Sequence, residues 1–200
     1  MSWQPVLDFW FGELTDGFAD EAYRQRWFAV SEETDRACKD LALPLLDQAK
    51  RGELTAWLEQ PLSALAFLVL CDQFPRNSFR GEARAFAWDH LALEAARKGI
   101  RDGIDRALSF DQRSFFYLPF EHSEDLIDQH TAVGLFTQLR DETPGPHKEK
   151  TGNALRYAHI HRDVIIRFGR FPHRNAVLGR TSTEDELAYL KNSDGFGQGG

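Results

Sequence analysis

The chain has 200 residues, enough for one domain with a sizeable core. Its hydrophobic residues make up 42%, with 16 Phe and 5 Trp, a composition that excludes a disordered chain and predicts a packed one. A formal charge of −7 argues against general affinity for nucleic acid or for an acidic membrane surface, so neither partner is expected.

Strand signals are nearly absent: no sustained period-two alternation and no Asn-Gly or Asp-Gly hairpin is read. Pro5 to Phe11 reads as a short aromatic helix stopped by Gly12, and a second helix runs from about Asp20 to Val30. Ser31 caps the next, which carries Leu41 and Leu45 and is expected to kink or break at Pro44. A short turn, Leu54 to Leu58, precedes the central segment that opens at Pro61. Its run from Ala64 to Cys71 is the longest apolar stretch in the chain, so it should lie in the middle of the fold. The residue before a proline is pushed out of the helical region, so this helix is expected to end near Phe74.

Ala83 to Lys98 reads as an alanine-rich helix stopped by Gly99. Ser109 and Gln112 form a capping-box pattern for a short helix through Phe115 and Phe116, and Pro119 is expected to open a long helix to about Arg140. ETPGPHKEKTG, Glu142 to Gly152, is the clearest loop. Asn153 to Phe168 is the next helix, and Thr183 with Glu186 caps a last one through Leu190. The fold class is therefore all-α, an irregular multi-helix array with no significant sheet, organised as a single domain over residues 1–191 with a loose tail at 192–200. In that tail Gly195, Gly197 and Gly200 match a dinucleotide-binding pattern, but no strand precedes them and no helix follows, so the match is discarded.

Two cysteines, Cys38 and Cys71, suit a reducing compartment rather than a disulfide scaffold. No basic region precedes the apolar N-terminal residues and no apolar run reaches the length of a membrane span, so a cytoplasmic location is expected. Trp3, Phe9, Trp10 and Phe11 are expected to cover the core, with a subunit interface, and so a homo-oligomer, as the other use of such a cluster.

Three stretches place charge where the pattern predicts burial. Asp72-Gln73-Phe74-Pro75-Arg76-Asn77 follows the apolar run directly, and at about 100° per residue Asp72 projects near Leu65 and Leu68. In PFEHSEDLIDQ, Pro119 to Gln129, the acids Glu121, Asp125 and Asp128 fall on a stripe that turns apolar at Ala132, Leu135 and Leu139. Arg156 to Arg180 holds six arginines and one acid, Asp163. There Arg156, His159, Asp163 and Arg167 share one sector, while His161 falls among apolar neighbours. The corner Phe171-Pro172-His173-Arg174-Asn175 then repeats the Phe-Pro-Arg-Asn theme.

These stretches are complementary in charge. One explanation is an internal ion-pair network that holds the helices in register. Another is a pocket in which Asp72, Arg76, Asn77, Glu121, His122, Glu124, His159, Asp163, Arg167, Arg170, His173, Arg174 and Asn175 surround a small anionic ligand or peptide, since guanidinium forks suit carboxylate and phosphate. As an enzyme, the same pocket would use His173 or His122 for proton transfer, oriented by Glu121 or Glu124. Glu121, His122, Asp125, His159 and His161 could supply metal ligands in number, but no HExxH, paired ExxH or zinc-spaced Cys pair occurs, so no metal is expected. No cofactor motif, nucleophile elbow or phosphate loop is present, so no cofactor is assigned.

Read together, the motifs Asp8-Phe9-Trp10-Phe11-Gly12, Arg26-Trp27-Phe28, Asp72 to Asn77 with Arg80-Gly81, Leu118-Pro119-Phe120-Glu121-His122-Ser123-Glu124, Phe168 to Asn175 and Gly179-Arg180-Thr181-Ser182-Thr183 form a distinctive order. In that order the chain resembles a bacterial family of unknown function, from about Val6 to Leu190. The resemblance implies an all-helical, tetratricopeptide-like fold, while no 34-residue period is visible in the sequence itself. It implies no reaction and no catalytic residues. Cys71 departs from the leucine that the family has before Asp-Gln-Phe-Pro-Arg-Asn.

Overall fold

A segment apolar on every side can be stable in water only if other elements surround it. In the computed structural model, which describes residues 2–192, every residue from Ser63 to Asn77 is buried. The architecture is all-α, an irregular array in chain order: α1 (Gln4–Phe11), α2 (Glu21–Phe28), α3 (Glu32–Lys50), α4 (Pro61–Leu68), α5 (Phe74–Ser78), α6 (Asp89–Arg101), α7 (Phe110–Glu121), α8 (Leu126–Glu142), α9 (Lys148–Phe168) and α10 (Glu184–Leu190). A five-residue π turn, Val69–Gln73, joins α4 to α5. Around this axis pack α1, α3, α6 and α7, and α7, α8 and α9 stack on one another in succession. Among the described residues no helix is long and apolar enough to cross a membrane.

The N-terminal aromatics belong to the core. Trp10 and Phe11 are 1% exposed and meet Phe115 edge-on, with ring centroids 5.5 and 5.4 Å away. Phe9 meets Phe74 edge-on at 5.7 Å, and the indole of Trp27 donates to the Trp10 carbonyl at 2.7 Å. A smaller cluster, Val164, Ile165 and Phe171, closes the C-terminal end against Phe168 and Tyr189.

Several expectations from the sequence are corrected. Leu14–Thr15 and Phe18–Ala19 form a minimal antiparallel pair around Asp16-Gly17, an Asp-Gly turn with φ of 53° and 85° that the sequence reading passed over. Helix α3 runs through Pro44 without a break. Pro44 and Asp40, whose carbonyl loses its donor, are both exposed, while Cys38, Ala42, Leu45, Leu46 and Ala49 face the core and hold the helix together. The central helix does not end at Phe74. The π turn widens the backbone just before Pro75, with the Phe74 N–H donating to the carbonyl of Val69 five residues back. That widening accommodates the ring that would crowd an ordinary turn.

Pro119 lies inside the last turn of α7, and α8 starts afresh at Asp125, whose side chain accepts the Ile127 N–H at 2.7 Å. Glu121 and Asp128 therefore sit on different helices. The loop is shorter than expected, because α9 begins at Lys148. Residues 193–200, with the glycine pattern and all but the first residue of the predicted tail, lie outside the described residues.

Nor does Gly99 stop a helix: it sits inside α6, which runs to Arg101, because the Phe116 ring presses on it. A Cβ there would come 2.4 Å from Cζ of Phe116. Alanine gains about 1 kcal/mol of helix propensity over glycine, whereas overpacking a tight core costs about 1–3 kcal/mol. Gly99→Ala is expected to lower stability by up to about 2 kcal/mol in urea unfolding. A more stable variant would show that the ring yields freely.

Candidate functional site

The site is built from the π turn, the end of α7, the middle of α9 and the corner after it. The π turn carries Asp72, 1% exposed, into the interior. Its carboxylate takes Nδ1 of His122 at 2.8 and 3.0 Å and Nη1 of Arg76 at 3.1 Å, and also accepts from Gln73. Arg76 turns its fork onto Asp89, the first residue of α6, with two bonds of 2.9 Å. Burial pushes the Asp72 carboxyl up, but Arg76 and His122 outweigh it and hold it well below the usual range.

Beside this pair, Glu121 ends α7 at 3% exposure. Its carboxylate lies 3.1 Å from Nδ1 of His161, which also approaches the Tyr157 carbonyl at 2.9 Å. Burial first, and then the neighbouring Asp72 charge, push Glu121 up to about 8. Burial lowers His122, with Arg76 adding to the effect and Asp72 opposing it. His161 is lowered by burial and by His122. Burial thus disfavours charge on both members of the Glu121–His161 contact.

A cavity of about 450 Å³ opens against this wall. Arg76, Asn77, Glu121, His122, His173 and Arg174 line it, so these six of the predicted residues come together. Arg24, Arg80, Lys150 and His161 line it as well, and the sequence argument had not placed them there. Arg24 is paired with Asp111, and Arg80 holds Asp35 through bonds of 2.9 and 3.1 Å. Arg174 is different. It is 7% exposed, its nearest carboxylate is Asp89 at 3.7 Å, and its Nε is buried with no hydrogen-bond acceptor. Burial pushes its guanidinium down to about 10, against the pull of Asp89 and helped by Arg76.

The other predicted residues do other work. Asp72 supports the wall from behind without lining the cavity. Glu124 clasps Arg180 at 2.7 and 3.0 Å and accepts the Phe171 N–H at 2.8 Å, which pins the corner to α7. Asn175 is tied to Ser182 and Arg180 at 3.0 and 2.9 Å. Arg170 is bonded to Glu186, and Arg167 beside it is exposed. Asp163 is exposed and paired with Arg162, while His159 is half-buried outside the cavity lining. His122 is oriented by Asp72, not by Glu121 or Glu124. Burial and then Arg174 push His173 down to about 3, so it is a poor proton acceptor near neutrality.

Asp89 was missed because its helix was expected to start at Ala83, which makes it a mid-helix residue with no motif to single it out. His161 was read as lying among apolar neighbours and counted only among possible metal ligands, not among the residues around an anion.

Residues 6–194 match the profile of a family described as bacterial protein of unknown function (DUF924), and the chain belongs to that family. A solved protein of unknown function from Agrobacterium tumefaciens is 39% identical, with a TM-score of 0.80, and the match covers 96% of this chain and 97% of that one. No curated protein matches the chain.

Removing one partner from a buried ion-pair network leaves a charge uncompensated, at a cost of about 3–5 kcal/mol. Asp72→Ala is expected to lose that much in urea unfolding, whereas Asp163→Ala, on the exposed side of α9, should stay within about 0.5 kcal/mol of the parent. Equal effects from the two would contradict the central place given to Asp72.

Proposed function

We propose that this member of the family binds a small anionic ligand, bearing a carboxylate or phosphate, in the cavity between the π turn, α7, α9 and the corner at His173 and Arg174. Arg174 carries this reading. A buried guanidinium without close pairing is costly. Its neighbours explain themselves as a network: Arg76 has Asp72 and Asp89, Arg80 has Asp35, and Arg180 has Glu124. A purely structural network leaves the Nε of Arg174 unexplained. An anionic group in the cavity would complete it, with Lys150 on the lining adding a second positive charge.

Ring contacts hold the guanidinium ready. Phe86 and Phe171 each lie 4.6 Å from it, and its Nη2 donates to the His122 carbonyl at 3.0 Å. The enzyme reading draws on the same cavity only through its inner wall, where Asp72 orients His122 and Glu121 stands beside it. His173 adds no base to that reading.

Thermal shift tests the proposal with inorganic phosphate, pyrophosphate, succinate and citrate. A ligand that binds only the native state at about 100 times its Kd stabilises by about 2.7 kcal/mol, or about 5–10 °C in a domain of this size. At least one of these anions is expected to raise Tm by that order. Arg174→Met, which keeps the apolar stem between the two rings, is expected to abolish the shift. An unshifted Tm with all four anions, or an unchanged shift in the variant, would refute the anion site.

A further inference from the structure

The inner wall of the cavity has a second property, separate from its cations. One donor atom from each of Glu121, His122 and His161 lies within 4.8 Å of the other two. Glu121 ends α7 with His122 the next residue, and His161 stands on α9, so the set is assembled by the stacking of helices and not by a local spacing. All three residues line the 450 Å³ cavity.

Two details set this trio apart from an ordinary polar contact. The first is what stands behind the two imidazoles. Histidines that hold metal ions present one ring nitrogen to the ion and give the other to a carboxylate or a backbone carbonyl, which fixes tautomer and ring orientation. Both histidines here have such a partner: Nδ1 of His122 sits 2.8 Å from the Asp72 carboxylate, and Nδ1 of His161 sits 2.9 Å from the Tyr157 carbonyl. A proton on Nδ1 in each case, where His161 also meets the Glu121 carboxylate at 3.1 Å, leaves the lone pair on Nε2.

The second detail is the carboxylate. Asp72, Asp89 and Glu124 each have an arginine within ion-pair distance. Glu121 has only His161 within that distance, and among the described residues no lysine or arginine joins it. A buried carboxylate facing two oriented imidazoles is matched by a cation that takes both nitrogen and oxygen donors.

We propose that Glu121, His122 and His161 bind one divalent transition-metal ion of the zinc or ferrous class, with its remaining coordination positions open to the cavity. Two imidazoles and one carboxylate suit this class, whereas magnesium and calcium favour sets made of oxygen alone. Three protein ligands with open positions are the arrangement of metal sites that engage a ligand, not of closed structural ones. Arg174, bonded to the His122 carbonyl, places the anion site next to the ion. Ion binding by the three side chains does not require that anion.

The test uses the full chain, stripped of metal with a chelator and titrated with Co²⁺ and then with competing Zn²⁺. One Co²⁺ per chain is expected, with visible d–d bands that Zn²⁺ displaces. Glu121→Gln should weaken both ions at least about 100-fold, and Asp72→Asn about 10- to 100-fold through the orientation of His122. His130→Ala, an exposed histidine elsewhere on α8, should leave binding unchanged.

Should Glu121→Gln or Asp72→Asn fail to fold by circular dichroism, X-ray absorption of the zinc-loaded parent chain decides, with two imidazoles in the coordination shell expected. Absence of a one-to-one cobalt complex overturns the proposal. So does full affinity in a folded Glu121→Gln variant, or a zinc shell with fewer than two imidazoles. The anion reading fails separately, since its readout is the Tm shift of metal-free protein with any of the four anions and its loss in Arg174→Met.

Discussion

Everything around the cavity depends on a carboxylate kept almost entirely from water. Asp72 is ionised in the interior because Arg76 and His122 meet it there, and each of those partners then fixes something else. Arg76 reaches on to Asp89 and so ties the start of α6 to the central axis. His122 is turned so that one nitrogen faces Asp72 and the other is left for different business. A pair of this kind contributes little net stability compared with an apolar replacement of the same size. Its value lies in specifying where side chains point. That fits a wall whose donors are held by neighbours and not by their own rotamers.

Most of the fold was legible from periodicity and punctuation. Ser31, Ser109 and Thr183 each start the helix assigned to them, and Gly12 ends the first. What failed were three stops and a start. Pro44, Pro75 and Gly99 lie within helices or within a helix that continues beyond them, and Pro119 sits in the last turn of a helix instead of opening one. At the three stops the surroundings outweighed a local rule: an apolar face on α3, a widened turn before Pro75, the Phe116 ring on Gly99. Local preferences at such positions amount to about 1–3 kcal/mol, within reach of a few buried side chains.

The candidate site was half legible for a related reason. Motif-by-motif reading found the residues contributed by contiguous signatures, Arg76, Asn77, Glu121, His122, His173 and Arg174. It also collected Glu124, Arg170 and Asn175, which have the same composition but close the corner on itself through Arg180 and Glu186. Charge type alone does not separate a clasp from a lining. Asp89 escaped, and His161 was left out of the anion pocket, because their place in the wall arises only when α6 and α9 are set against the π turn.

That π turn inserts one residue into what would otherwise be a regular rod. Upstream of it, the phase of the helix is set by packing of α4 on α1, α6 and α7; downstream, α5 packs on α3. Read at 3.6 residues per turn, the two halves are out of register by one residue, about 100°, which the wide turn absorbs. In evolutionary terms, a single-residue deletion between Val69 and Gln73 would leave Arg76 facing Asp89 on α6 but would remove the wide turn that carries Asp72 inward and makes room for Pro75.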